Sequence, residues 1–307
     1  MALIGGGGAW IRKAKGWFLE FRLIPVLLWS YTAVVLGTSL AAWTTGGVDL
    51  ASFAVALGLG GLIQGWSTHS INEIFDWRSG TDRIGGGRAL SGGSRVRNLS
   101  LLDVLGVAYT APPIATAYRP FAGEWFGGFP GVLLSGLGAY AIQTKSISVV
   151  AVIALSAHAL VCMGMLMVHH YLDAPMDAAA SPPKRTTVVA LGLPKAKKYA
   201  AGMAAAASIL YGLLGVLGYP AFLLGMAWTL PAVWIHLHTK ADELESVTRN
   251  ELRVIQLGIA AGLSTAVGLA PSLWPLLPIA AVAYLAHLAV ASPPAALSRA
   301  WRKAPET

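Results

Sequence analysis

The residues of this chain best suited to chemistry fall into two short acidic clusters, each at the end of a very apolar run. The first reads Asn72-Glu73-Ile74-Phe75-Asp76 and continues to Gly80 and Asp82; the second reads His169-His170-Tyr171-Leu172-Asp173 and continues to Asp177. Five of the chain's 14 acidic residues lie in these two places. Carboxylates at the edge of hydrocarbon are costly, so they usually serve an ion or a substrate. At helical spacing His69, Asn72 and Asp76 share one face, and Asp173 and Asp177 stand four apart with His169 and His170 one turn earlier. Asp82 follows Gly80, where a helix can break and turn. If both faces meet at one mouth, the gathered carboxylates repel and raise each other's pKa until cations neutralise them. Hard oxygen ligands of this kind favour Mg²⁺, which commonly bridges carboxylates to phosphate oxygens, so a diphosphate is the natural guest. The plainer reading of either cluster alone is a solvated helix end.

Cations flank both clusters. Arg22 sits early in the first apolar run, Arg119 ends a later one, and Lys184-Arg185-Thr186 follow the second cluster. Arg78, Arg88, Arg95 and Arg97 accompany a Gly-rich stretch, Gly85-Gly86-Gly87 and Ser91-Gly92-Gly93-Ser94. That stretch lacks the P-loop spacing and is not read as a nucleotide site. Each cation suits diphosphate oxygens through charge-assisted hydrogen bonds, and each also suits simple anchoring at a membrane surface. His236 and His238 read as interfacial, Cys162 as a small core residue, and the acidic stretch Thr239 to Glu251 as a solvated loop or short helix.

The elements that must position these groups follow from composition. Hydrophobic residues make up 55% of the chain and charged residues 12%, against about a quarter charged in a soluble domain. Several apolar runs reach the roughly 20 residues that cross a bilayer's hydrocarbon. Backbone groups in lipid must be satisfied within the segment, so an all-α, polytopic transmembrane helical bundle is expected. Eight spans are read at about 17–43, 49–76, 125–144, 147–172, 196–217, 219–238, 252–269 and 272–294. The stretch Leu99 to Tyr118, with Asp103 and Pro112-Pro113, is read as re-entrant, interfacial or an incomplete hairpin. With the N-terminus cytoplasmic, 21 of the 22 Lys and Arg residues then fall inside and only Lys145 outside. That is a strong positive-inside pattern, and it puts both acidic clusters and both termini on the cytoplasmic side of the cell membrane. No secretory signal is expected at the Gly-rich opening. The chain divides into a basic N-terminal segment, 1–16, a single transmembrane domain, 17–294, and a C-terminal tail, 295–307. The net charge of +8 is explained by orientation rather than by nucleic acid.

These motifs resemble the UbiA superfamily of intramembrane prenyltransferases, and within it the 1,4-dihydroxy-2-naphthoate polyprenyltransferase branch of menaquinone biosynthesis. Asn72, Glu73, Asp76, Gly80 and Asp82 resemble its first motif, with Glu73 where Asp is usual. Asp173, Asp177, Lys184-Arg185-Thr186 and Val188 to Gly192 resemble its second, with Ser181-Pro182-Pro183 in place of a Gly. Tyr109 to Pro113, Tyr118-Arg119 and Gly123-Glu124 resemble a third loop, and Gly138-Ala139-Tyr140 with Gln143-Thr144 the helix after it. The family places two further spans between its first motif and that third loop; here a helix pair is missing. The resemblance implies a cytoplasmic mouth where Asn72, Glu73, Asp76, Asp82, Asp173 and Asp177 hold Mg²⁺. It implies that Asn72, Arg119, Lys184 and Arg185 bind the diphosphate, and that Asp76, Asp173, Asp177 and Arg22 act in catalysis. The expected reaction joins the polyprenyl group of a polyprenyl diphosphate to an aromatic acceptor within the lipid bilayer. Trp66, Phe75, Trp77, Tyr118, Trp125, Tyr140 and Tyr171 are aromatic faces suited to steadying a carbocation, or simply packing. The alternatives are another lipid prenyltransferase or terpene cyclase of the same architecture, a transporter, or an inactive isoprenoid-binding relative.

Overall fold

A computed structural model describes residues 14, 18–19, 21–69, 118–181 and 183–291. Asn72, Glu73, Asp76 and Asp82, the Gly-rich stretch and Leu99 to Ala117 lie outside the described residues. The described residues are helical throughout, with no strand among them. Helix α1 spans Leu23–Thr45, α2 Leu50–Gly60 with a wider π-turn over Gly61–Thr68, α3 Gly123–Thr144 and α4 Val149–His169. Two short helices, α5 at Ala174–Ala179 and α6 at Thr187–Leu191, lead to α7 at Leu193–Val216. Then come α8 at Phe222–His238, α9 at Leu244–Leu269 and α10 at Leu276–Ala291. Six helices are long and apolar enough to cross a membrane, and α2 and α8 are shorter apolar helices. The protein is therefore a helical, integral membrane bundle.

Local chemistry sets the helix ends. Asp49 caps α2 by accepting from the amides of Ala51 and Ser52, and Ser148 caps α4 by accepting from Ala151. Such caps satisfy amides that the first turn leaves without intrahelical partners. Helix α1 stops at Gly46, whose φ of 82° closes the last turn onto the Ala42 carbonyl, a left-handed geometry that glycine adopts without strain. Within the bundle α1 crosses α3 where Gly37 meets Gly136. A methyl group at Gly37 would overlap the Gly136 carbonyl, so the absence of side chains there is what lets the two backbones touch. The π-turn at Leu27–Tyr31 in α1 presents the Leu28 carbonyl to His158, whose Nε2 donates to it at 2.7 Å deep in the core.

The helices alternate in direction, and contacts between them define two ends. At one end Gln143 exchanges hydrogen bonds with the backbone of Asp49 (2.8 and 3.0 Å), and Trp43 packs near Tyr219. At the other, the start of α3, the end of α4 and the start of α9 meet. Of the described Asp, Glu, Lys and Arg residues, only Asp49 and Lys145 belong to the first end; all others gather at the second. Helix α2 ends, at His69, and the segment Tyr118–Ala122 begins at this same charged end. Residues 69 and 118 therefore stand at the same end of the bundle.

The structure corrects three readings. The stretch Thr239 to Glu251 is not mainly loop: α9 begins at Leu244 and Glu251 is fully buried. His236 is not interfacial but buried against Gly164 of α4, while His238 is exposed and stacks on Trp234. Tyr140, 16 residues along α3 from Glu124, sits about 24 Å away at the other end and packs with Leu36 and Leu137. It cannot steady a cation at the charged mouth.

Candidate functional site at the charged end

The second acidic cluster forms a tight turn immediately after α4. Asp173 begins α5, with Pro175 in its first turn, and the Asp177 amide donates to the Asp173 carbonyl at 2.8 Å. The two carboxylates therefore belong to one helical turn. They differ in environment: Asp173 is partly exposed, whereas Asp177 is fully buried. The Asp177 carbonyl in turn accepts from the Lys184 amide at 2.8 Å, folding the Lys184-Arg185-Thr186 segment back over the cluster. Lys184 is buried with its ammonium 5.5 Å from the centre of the Tyr118 ring, a cation–π pairing. Arg185 and Arg119 are exposed.

The loop before α3 is tied to this segment through Thr187. Its hydroxyl accepts from the Phe121 amide at 2.7 Å and donates to Glu124 Oε2 at 2.9 Å. Thus Tyr118–Glu124 and Lys184–Thr187, distant in sequence, form one wall. In the sequence Glu124 stood out only as part of a loop motif; the structure makes it a buried anchor. Trp125 donates from its indole to the Tyr199 hydroxyl at 2.7 Å, tying the start of α3 to α7.

Arg22 does not lie inside the first span. It stands as the residue before α1 with φ 48° and ψ 50°, a left-handed backbone that is unusual for a side chain with a Cβ, and it is buried. His69 at the end of α2 lies within electrostatic range of both Arg22 and His169. His169 donates from Nδ1 to Glu251 Oε1 at 3.1 Å, and Arg22 and Asp173 are also within its electrostatic range. Glu251 is the buried polar partner at this end that sequence reading missed. Its signal was the apolar face Val247, Val254, Ile255 and Gly258, one and two turns either side of it on α9.

His170 Nδ1 lies 3.8 Å from Asp177 Oδ2, too far for a hydrogen bond. Burial, with the neighbouring His169 and Lys184 charges, holds His170 well below the usual imidazole range. Burial also pushes the Tyr171 phenol up, and its hydroxyl has no hydrogen-bond partner among the described residues. Among the described residues no three His, Cys, Asp or Glu side chains are grouped so as to hold a metal. Asp173 and Asp177 offer two hard oxygen donors in one turn, which suits part of a Mg²⁺ shell completed by phosphate or further carboxylates. The other expected ligands, Asn72, Glu73, Asp76 and Asp82, lie outside the described residues.

Comparison with known proteins gives no family: no protein-family model matches the chain, and no curated protein matches it.

Proposed function

We propose that this chain is a Mg²⁺-dependent prenyltransferase of the UbiA type, moving a polyprenyl group from its diphosphate to an aromatic acceptor such as 1,4-dihydroxy-2-naphthoate. The observation that carries this reading is that His69 comes within electrostatic range of both Arg22 and His169. His69 stands three residues before Asn72, and His169 four residues before Asp173. The approaches to the two acidic motifs thus come together at one end of the bundle, the end that also collects Arg22, Lys184 and nearly all described charge. By the positive-inside rule this end is cytoplasmic.

In this reading Asp173 and Asp177, with Asn72, Glu73, Asp76 and Asp82, would hold magnesium, which would supply charge neutralisation at the departing diphosphate. Arg22 and Lys184 take part of the leaving-group charge from the protein side, and Arg119 and Arg185 guide the anion from their exposed positions. The allylic C–O bond breaks with its electron pair leaving on diphosphate. An electron-rich ring carbon of the acceptor then captures the allylic cation, with loss of the acceptor's carboxylate as in the branch the motifs resemble. The wall of Tyr118, Lys184, Thr187 and Glu124 excludes water that would quench the cation.

The deciding experiment incubates the purified protein with a prenyl diphosphate, Mg²⁺ and dihydroxynaphthoate and measures diphosphate release and prenylated product. Release is expected to need Mg²⁺ and to fall about 10²–10³-fold in Asp76→Asn and Asp173→Asn, the usual scale for removing one electrostatic stabiliser. Diphosphate release without acceptor, with a cyclised hydrocarbon product, would move the assignment to a cyclase. No release from any prenyl donor would overturn it in favour of a transporter or a binding protein.

A further inference from the structure

Away from this site, a groove of about 570 Å³ runs between α8 and α9, lined by Trp228, Pro231, Trp234, Arg253, Leu257 and Ala260 among others. Its place along the bundle follows from one contact. Asn250 Nδ2 donates to Thr239 Oγ1 at 3.1 Å, which sets Asn250 level with the end of α8. Arg253, three residues further along α9, is then about 4.5 Å further in and is the last charged residue before the uncharged run to Leu269. Trp234, on the last turns of α8, stands near that level. Beyond them come Gln256, whose amide donates to the Tyr284 hydroxyl at 3.1 Å, and then apolar lining, Leu257 with Pro231 and Ala260 with Trp228. The groove thus has one cation at its mouth and an apolar floor.

Arg253 is exposed, and among the described residues neither a hydrogen bond nor an ion pair engages its guanidinium. Its neighbour on the helix, Arg249, is by contrast paired with Glu245 at 3.3 Å. Nor is a cation a general feature of such grooves here. The groove on the other flank of Trp234, between α7 and α8, has a similar volume of about 550 Å³ and no charged lining residue. A guanidinium with no partner among the described residues, at the start of an uncharged helical run, asks for an anion. One cation matches the single charge of a phosphodiester better than the several charges of a diphosphate, and the floor matches a straight hydrocarbon chain.

We propose that the α8–α9 groove is a binding site for an anionic glycerophospholipid, with its phosphate on Arg253 and an acyl chain along Leu257, Pro231, Ala260 and Trp228. The site is independent of the prenyltransferase reading.

The test uses the full chain in neutral phosphatidylcholine nanodiscs doped with a photoreactive phosphatidylglycerol, with crosslinks mapped by mass spectrometry. Labelling is expected in the Trp228–Trp234 and Arg253–Ala260 peptides and is expected to fall about fivefold in Arg253→Gln, the scale of one cation against an anionic headgroup. Arg249→Gln, outside the groove, is expected to label as wild type. Equal labelling of Arg253→Gln and wild type would overturn the proposal, as would equal labelling by a photoreactive phosphatidylcholine. Inorganic phosphate at millimolar concentration is expected not to compete; full competition would overturn the lipid assignment in favour of a free-anion site. Circular dichroism of Arg253→Gln separates loss of the site from loss of the fold.

Discussion

Glu251 Oε1 lies 3.1 Å from His169 Nδ1, a part-buried hydrogen bond joining the start of α9 to the end of α4 across 82 residues of sequence. A carboxylate in this position fixes which imidazole nitrogen carries the proton and turns the ring's Nε2 edge away from α9. His169 is within electrostatic range of Arg22, His69 and Asp173. Glu251 is thus a candidate positioning residue for that group, through His169.

Glu251→Ala removes the acceptor from a part-buried bond and is expected to cost about 1–3 kcal/mol, while Glu251→Gln keeps an acceptor oxygen and loses less. Thermal unfolding in detergent ranks the two variants. The transfer assay should follow the same order, with the Ala variant slowed more than the Gln variant. Identical melting temperatures for Ala, Gln and wild type would show that the bond carries no weight.

Arg22 separates backbone from side chain. Its left-handed φ and ψ cost a residue with a Cβ about 1–2 kcal/mol relative to glycine. Arg22→Gly is therefore expected to be more stable than Arg22→Ala by about 1 kcal/mol, yet both lose the guanidinium. Diphosphate release should fall about 10²-fold in both. Full activity in either variant would remove Arg22 from the leaving-group site.

Asp49 gives the pH dependence at the opposite end. Its carboxyl is held below the usual range, first by the Ser52 hydroxyl and then by the Ala51 amide. A depressed folded pKa contributes stability that is complete above the unfolded value, about 3.9, and is lost as pH falls through the folded value. Asp49→Asn keeps a capping oxygen and does not titrate. Melting profiles of the two proteins are expected to run parallel above about pH 5 and to diverge in acid, where only wild type loses the contribution. Divergence above about pH 5 would contradict the assignment.

How much of this was legible beforehand depends on the range of the physics involved. The apolar runs stood out because hydropathy is local, and the spans read at 125–144 and 219–238 differ from α3 and α8 by only a few residues. Asp173 with Asp177 was legible because four residues make one helical turn. Glu251 was not, because its acidic neighbours Asp242, Glu243 and Glu245 suggested water, and the fact that decides its burial is the arrival of His169 from another helix. The same holds for Thr187, whose partners Phe121 and Glu124 come from across the bundle. Arg22 looked like an intramembrane charge because its backbone turn, which delays the helix to Leu23, leaves no mark in composition. The π-turn of α1 was equally silent, since what stabilises it is the His158 donor to the Leu28 carbonyl.

The near-neutral end has a consequence for biogenesis. Its four described connections, at 46–49, 145–148, 217–221 and 270–275, are tight and carry only Asp49 and Lys145 between them. Adjacent helices can therefore enter the bilayer as preassembled hairpins, and insertion with these turns leading moves one carboxylate and one ammonium, opposite in sign. An inserting machinery meets almost no electrostatic toll on that route, whereas leading with the other end would mean translocating every other described charge.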